Sequence, residues 1–155
     1  MKENILNRML ELTENIFKTE KDPEQIPINK KSLHKLLRLH PKAPTYLLNK
    51  KGGLMGWVVV VPTNKKLAGN FLNLKISEKE LFEKTKPLKK YSAIYLCSAI
   101  VLPRYRRKGY ATEMFIKAIN NIPKEKNVLF FYWPFNKSGK KLENILGLKL
   151  KKEKN

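Results

Sequence analysis

The pattern between residues 91 and 122 constrains the fold most. Tyr91 to Leu102 is apolar almost throughout and reads as a long central strand, ended by Pro103. A basic turn, Arg104-Tyr105-Arg106-Arg107-Lys108-Gly109, follows it. Beyond Gly109 the apolar or small residues Ala111, Met114, Phe115, Ala118, Ile119 and Ile122 recur at the spacing of one buried helical face, until Pro123 stops the run. The helix is expected to begin near Lys108. Its first backbone N–H groups have no intrahelical acceptor, and the aligned peptide dipoles leave partial positive charge at that end, so an anion is favoured there. Gly109 and Ala111 add little bulk over those donors, and Arg106, Arg107 and Lys108 add formal charge beside them. A basic run ahead of a helix is by itself only a solvated turn. The strand before it and the helix after it turn that run into a phosphate cradle.

Around this unit the chain reads as one mixed α/β domain over residues 1–155. Ile5, Leu6, Met9, Leu10, Thr13, Ile16 and Phe17 form a helical stripe ended before Asp22-Pro23. Ser32 is expected to cap a shorter helix through Leu33, Leu36, Leu37 and Leu39, stopped by His40-Pro41. Thr45 to Leu48 and Leu54 to Val61 flank Asn49-Lys50-Lys51-Gly52-Gly53, a loop of hairpin length. Thr63 to Leu74 is ambiguous, with helical character. Ser77-Glu78-Lys79-Glu80 is a capping box opening a helix through Leu81 and Phe82, closed by Pro87. Val128 to Trp133 is a second core strand, Ser138 to Leu146 a helix with Gly147 as its C-cap, and Leu148 to Lys151 an edge strand. No internal repeat or low-complexity linker marks a second domain.

Two blocks carry a family resemblance. Ile100-Val101-Leu102-Pro103-Arg104-Tyr105-Arg106-Arg107-Lys108-Gly109-Tyr110-Ala111 resembles the acyl-CoA signature of the GNAT superfamily of N-acyltransferases, V-x-P-x-x-[QR]-x-x-G-x-[GA]. Asn136 to Leu148 is similar to that family's later N-x-A-A-x-x-L-Y-x-x-L-G-F segment, and Leu54 to Val61 resembles an earlier family strand more loosely. The resemblance implies an α+β fold whose central mixed, mostly antiparallel sheet has two splayed core strands flanked by helices. It also implies an acetyl-CoA-dependent N-acetyltransferase, in which an amine attacks the thioester directly within a ternary complex. Carried over residue by residue, the pantetheine arm falls on Ala99, Ile100 and Val101. The pyrophosphate falls on Arg107, Lys108, Gly109, Tyr110, Ala111 and Thr112, with Arg106 beside them. Asn136 matches a position that contacts the coenzyme or caps the following helix.

The catalytic groups depart from the family's pattern. Where the family often has a tyrosine as proton donor to the thiolate, this chain has Glu143. Where many members carry a glutamate on a core strand, it has Tyr95 and Phe131, and no carboxylate lies between Tyr91 and Val101 or between Val128 and Trp133. Glu143 and Tyr95 are therefore the candidate catalytic positions, although a tyrosine of ordinary pKa, about 10, is a poor base at neutral pH, so water or an already neutral amine is the favoured route. Strict alternation puts Tyr95 and Cys97 on one face unless a bulge intervenes. Cys97 itself reads as a buried structural residue.

The chain has 33 Lys and Arg against 13 Asp and Glu, a net charge of +20, which ordinarily suggests an anionic partner such as nucleic acid. Arginine, however, stands only at Arg8, Arg38, Arg104, Arg106 and Arg107. Lysine spread through every segment reads as solvated surface rather than a base-reading interface. Its clusters, Lys30-Lys31, Lys65-Lys66, Lys84 to Lys90 and the 149–152 tail, create a field attractive to phosphate-bearing ligands, coenzyme A included. The one cysteine allows no intrachain disulfide, and His34 and His40 make no metal site. No segment reaches the ~20 apolar residues of a membrane span, and no signal-peptide core opens the chain, so a cytoplasmic protein is expected.

With few acids to line a polycation site, a neutral or anionic amine acceptor is expected, and Tyr91, Tyr95, Tyr132, Trp133 and Phe135 are available to wall an aromatic pocket. Other readings stay open: acetylation of aminoacyl-tRNA, an activity similar to that of tRNA-targeting acetyltransferase toxins, and a catalytically weak coenzyme A-binding or interaction protein. A homodimer is compatible with each.

Overall fold

The computed structural model describes residues 2–17, 24–27 and 29–132. In chain order the elements are α1 (Glu3–Phe17), α2 (Lys30–Leu39), β1 (Pro44–Leu48), β2 (Leu54–Thr63), α3 (Lys65–Leu72), α4 (Glu78–Lys84), β3 (Tyr91–Val101), a 3-10 turn (Pro103–Tyr105), α5 (Tyr110–Asn121) and β4 (Lys124–Tyr132). The four strands lie in sequence order, β1-β2-β3-β4, with the first three antiparallel and β4 parallel to β3. The parallel pair is joined through α5, the crossover that such a pair requires. This is the mixed, mostly antiparallel sheet with flanking helices that the family resemblance implies.

Helix caps are local and chemical. Asn64 accepts from the Leu67 amide to open α3 within the ambiguous 63–74 stretch, and Ser77 and Glu80 complete a reciprocal capping box at α4. The α2 cap differs from expectation. Asn29 accepts from the Ser32 amide, so the helix starts at Lys30 and Ser32 lies within its first turn. β4 likewise begins at Lys124, four residues before Val128, because the strand pairs with Tyr91 there although its first residues face solvent.

Val58, Val60, Ala93 and Ile94 form the buried centre of the sheet, packed with Met114, Phe115 and Ala118 of α5 and Leu33 and Leu36 of α2. A smaller cluster sets Ile5 and Met9 of α1 against Trp57 and Ile100. Fully burying one such side chain contributes about 1.5–3 kcal/mol. Three contacts tie α2 and the 24–27 segment to α4: Lys35 Nζ donates to the Glu83 carbonyl at 2.9 Å, the Lys79 amide to the Glu24 carbonyl at 2.9 Å, and the Ile26 amide to Glu78 Oε1 at 3.1 Å. The Thr63 and Thr85 hydroxyls, buried 2.8 Å apart, fix α4 to the end of β2. A cleft between α1, α2 and the sheet is thereby held from its far side. Among the described residues no helix is long and apolar enough to cross a membrane.

Candidate active site

β3 is paired along both edges only in part. β2 accompanies it from Ala93 to Val101, whereas pairing with β4 runs from Tyr91 to Leu96, opposite Tyr132. From Cys97 to Val101, the edge away from β2 has no strand partner among the described residues. Ala99, Ile100 and Val101, the positions expected to face a pantetheine arm, lie on that stretch. The Ile100 side chain is committed to the α1 cluster, so its backbone is what it can offer. Gly56 permits the close approach of β2 opposite: a Cβ there would lie 2.5 Å from the Ile100 carbonyl oxygen.

In the loop after β3, where the phosphate cradle is expected, the helix boundary differs from expectation. The helix starts at Tyr110, not near Lys108, because Gly109 has φ +80° and Arg107 φ +65°, both outside the helical region. The first intrahelical bond runs from the Glu113 amide to the Gly109 carbonyl at 3.0 Å, and no side chain caps Gly109. The amides of Tyr110, Ala111 and Thr112 therefore have no intrahelical acceptor. Left-handed residues on either side of Lys108 curl the backbone as in anion-binding nests. A Cβ on Gly109 would meet nothing within 4 Å, so the space above the cradle is open. Arg107 and Lys108 are exposed beside it. Arg106 folds back, its Nε donating to the Val101 carbonyl at 2.8 Å and linking the loop to the strand end. The Thr112 side chain is buried, leaving its backbone N–H as the group able to meet a ligand. Unbonded helix amides, exposed basic side chains and open space are together compatible in chemistry with a pyrophosphate group.

Two strand positions further back, the β2–β3 register passes from Val59 opposite Ser98 to Val60 opposite Leu96, so Cys97 is the extra residue of a β-bulge. Cys97 and Ser98 both line a cleft of about 740 Å³, counting space open to solvent. Its other walls are Met9, Leu10 and Thr13 of α1, residues 25–27 and Asn29, Ser32, Leu33 and Leu36 of α2, Trp57 and Val59 of β2, and Glu78 of α4. Among the described residues Glu78 is the one charged residue in this lining. Its Oε1 accepts from the Ile26 amide at 3.1 Å and its Oε2 from the Tyr95 hydroxyl at 2.7 Å.

Tyr95 is buried, its ring stacked 5.1 Å from Phe131 and tilted 5.3 Å from Phe71. Burial, then the neighbouring Cys97 and Glu78, push its phenol far above the ordinary range, so at neutral pH it is a fixed hydrogen-bond donor. Cys97 is half-buried rather than a core residue, yet desolvation of its sulfur and the Glu78 charge hold the thiol well above its usual pKa. It is therefore a neutral thiol, not a nucleophilic thiolate.

Sequence reasoning missed Glu78. An acidic residue in the first turn of a helix reads as a partner of the helix dipole, so nothing local sets Glu78 apart. The aromatic wall also differs. Tyr91 is buried with its hydroxyl on the Leu39 carbonyl at 2.6 Å, and among the described residues Trp57 is the aromatic residue that lines the cleft. Trp133, Phe135, Asn136 and Glu143 lie outside the described residues.

No curated protein matches the chain. The Acetyltransferase (GNAT) family matches residues 6–137, a span that includes the whole sheet, the bulge, the cradle and Asn136 but stops short of Glu143. Covering most of the sequence and every described element of the site, that match shows that the chain belongs to the GNAT acetyltransferase family.

Proposed function

We propose that the protein transfers an acetyl group from acetyl-CoA to a primary amine by direct attack, with the amine held in the cleft at Cys97 and Glu78 acting as the base. GNAT membership supports acyl-CoA-dependent acetyl transfer in general. One observation carries the finer reading: the α5 N-terminus without a side-chain cap, the edge of β3 that has no strand partner among the described residues, and a carboxylate-bearing cleft follow one another along a single strand and the loop after it. Pyrophosphate on the cradle and pantetheine along Ala99–Val101 direct the reacting end toward the bulge. Acetyl-CoA supplies an activated acyl group as its thioester.

Glu78 accepts a proton from the bound ammonium, leaving a nucleophilic nitrogen lone pair. The nitrogen–carbon bond forms as the carbonyl oxygen gains charge. The bulge takes a backbone N–H at Cys97 out of the β2 ladder, and this N–H is the donor we assign to that oxygen. The carbon–sulfur bond then breaks, and the second proton lost by nitrogen neutralises the departing thiolate. Tyr95 is a positioning residue, orienting Glu78 without exchanging a proton.

The test is release of free coenzyme A thiol from acetyl-CoA with a panel of primary amines, read with a thiol reagent, with the acetylated product identified by mass. Amine-dependent release supports the reading. Tight acetyl-CoA binding without release for any amine contradicts it.

A further inference from the structure

We propose that the chain holds a second anion site, apart from the cradle, in which Arg8 and Arg104 receive the phosphate of a small organic phosphomonoester. The proposal stands on a different cleft and does not rest on the acetyl-transfer reading.

This cleft lies beyond the C-terminal end of β3, between the first turns of α1, the hairpin loop and the 3-10 turn. It spans about 860 Å³, counting space open to solvent. Arg8 comes to it from α1, and Arg104 and Tyr105 from the 3-10 turn. Two of the five arginines of a lysine-rich chain thus converge on one cleft from positions 96 residues apart in sequence. A guanidinium presents its N–H groups as a rigid fork that matches phosphate oxygens, where lysine offers a point charge.

The donors are held by contacts of their own. Arg104 lies 5.4 Å from the Tyr105 ring centroid, a cation–π contact that restrains it. Tyr105 is held in turn by Asn49. The Asn49 Oδ1 accepts from the Lys51 and Gly53 amides, each at 2.9 Å, which turns Nδ2 toward the Tyr105 hydroxyl at 3.0 Å. The hydroxyl oxygen is the acceptor in that bond, so its own hydrogen remains a donor for the cleft that Tyr105 lines. Arg8 Nη1 stands 3.6 Å from Glu11 Oε2, too far for a hydrogen bond, and both side chains are more than half exposed. Such a pair contributes little, and an anion at Arg8 can displace it.

The number of donors selects the ligand. Two guanidinium forks and a hydroxyl offer more hydrogens than two carboxylate oxygens can use, whereas the three terminal oxygens of a phosphomonoester can accept from all three groups. The phosphate fills only part of the cleft. Ile5, Leu54 and Leu102 line the rest, an aliphatic surface against which an organic body gains by leaving water. The cradle is a close neighbour with separate donors: Arg104 and Tyr105 precede, and Arg107 to Thr112 follow, the Arg106 side chain bonded to the Val101 carbonyl.

Nitrogen–proton NMR titration tests the site, with acetyl-CoA present to fill the cradle. Phenyl phosphate should move the Gly52 and Gly53 amide signals and the Arg8 and Arg104 Nε signals along one saturating curve. Arg8→Gln and Arg104→Gln should each weaken phenyl phosphate by about tenfold or more. Both variants should stay folded by circular dichroism and keep their calorimetric affinity for acetyl-CoA. Shifts that never saturate and spread over the exposed lysines would show general attraction to a chain of charge +20, and overturn the site. Benzoate binding as tightly as phenyl phosphate overturns the phosphate class, and binding of a short RNA duplex without phenyl phosphate overturns the small ligand. Loss of acetyl-CoA affinity in folded Arg8→Gln or Arg104→Gln gives the cleft to the coenzyme and overturns its separateness. The phenyl phosphate result reads the cleft whether or not any amine is acetylated.

Discussion

The Tyr95 hydroxyl donates to Oε2 of Glu78 at 2.7 Å, tying the central strand to the first residue of α4 beside the cleft. Tyr95→Phe keeps the stacking on Phe131 and Phe71 and removes only this bond. The variant should lose about 1 kcal/mol of stability, since Glu78 is half-buried and water can replace part of the interaction. Its kcat should fall about tenfold as the carboxylate loses its orientation, with the KM for acetyl-CoA unchanged. Urea unfolding and steady-state kinetics measure the two effects separately.

Burial raises both Tyr95 and Cys97 in the folded chain. Each keeps its proton at pH values where the unfolded chain has lost it, so the folded state binds more protons there. The resulting stabilisation is complete below the unfolded thiol value of about 8.5 and is lost as the pH rises above it. Cys97→Ala removes one of the two groups. Between about pH 8 and about pH 10, the urea midpoint of the wild type should therefore fall relative to that of Cys97→Ala. A constant difference across this window would contradict the assigned burial of the thiol.

Gly56 pairs with Val101 at the end of β3, and a Cβ there would lie 2.5 Å from the Ile100 oxygen, a backbone atom that cannot swing aside. Gly56→Ala should cost about 1–3 kcal/mol, the usual range for forced overpacking. It should also weaken acetyl-CoA binding several-fold by displacing Ile100 and Val101. Thermal unfolding and calorimetric titration with acetyl-CoA measure both.

Arg107 carries a positive φ without being glycine. Arg107→Gly relieves about 1 kcal/mol of left-handed strain while removing a cation from the cradle. The melting temperature should hold or rise as acetyl-CoA affinity falls, a pairing that general loss of structure cannot produce. Parallel differential scanning calorimetry and isothermal titration resolve it.

What the sequence reveals here is what is encoded locally. The hairpin around Asn49 to Gly53, the capping box at Ser77, the long strand from Tyr91 and the buried face of α5 each depend on neighbours a few residues apart, and each stands where its pattern places it. Ser32 is a good cap residue and is expected at the α2 start, but Asn29 is another, and only the geometry shows which side chain accepts from which amide. The bulge at Cys97 leaves no compositional trace. Glu78 gains its place through partners 52 and 17 residues away, Ile26 and Tyr95, and no local pattern encodes such contacts. The segment assigned to the donor is thus contiguous in sequence, whereas the cleft assigned to the acceptor is assembled from five elements and from residues 25–27 and Asn29, which no local pattern brings together.

Calorimetric titration of acetyl-CoA into the wild type and Gly109→Trp tests the central claim most directly. Gly109 has φ +80° with open space above it, so the indole would fill the volume assigned to the pyrophosphate without meeting the core. Left-handed strain should cost about 1–2 kcal/mol and leave the chain folded by circular dichroism. Affinity should fall by about a hundredfold or more. Unchanged acetyl-CoA affinity in the folded variant would contradict the cradle and the acetyl-transfer chemistry derived from it.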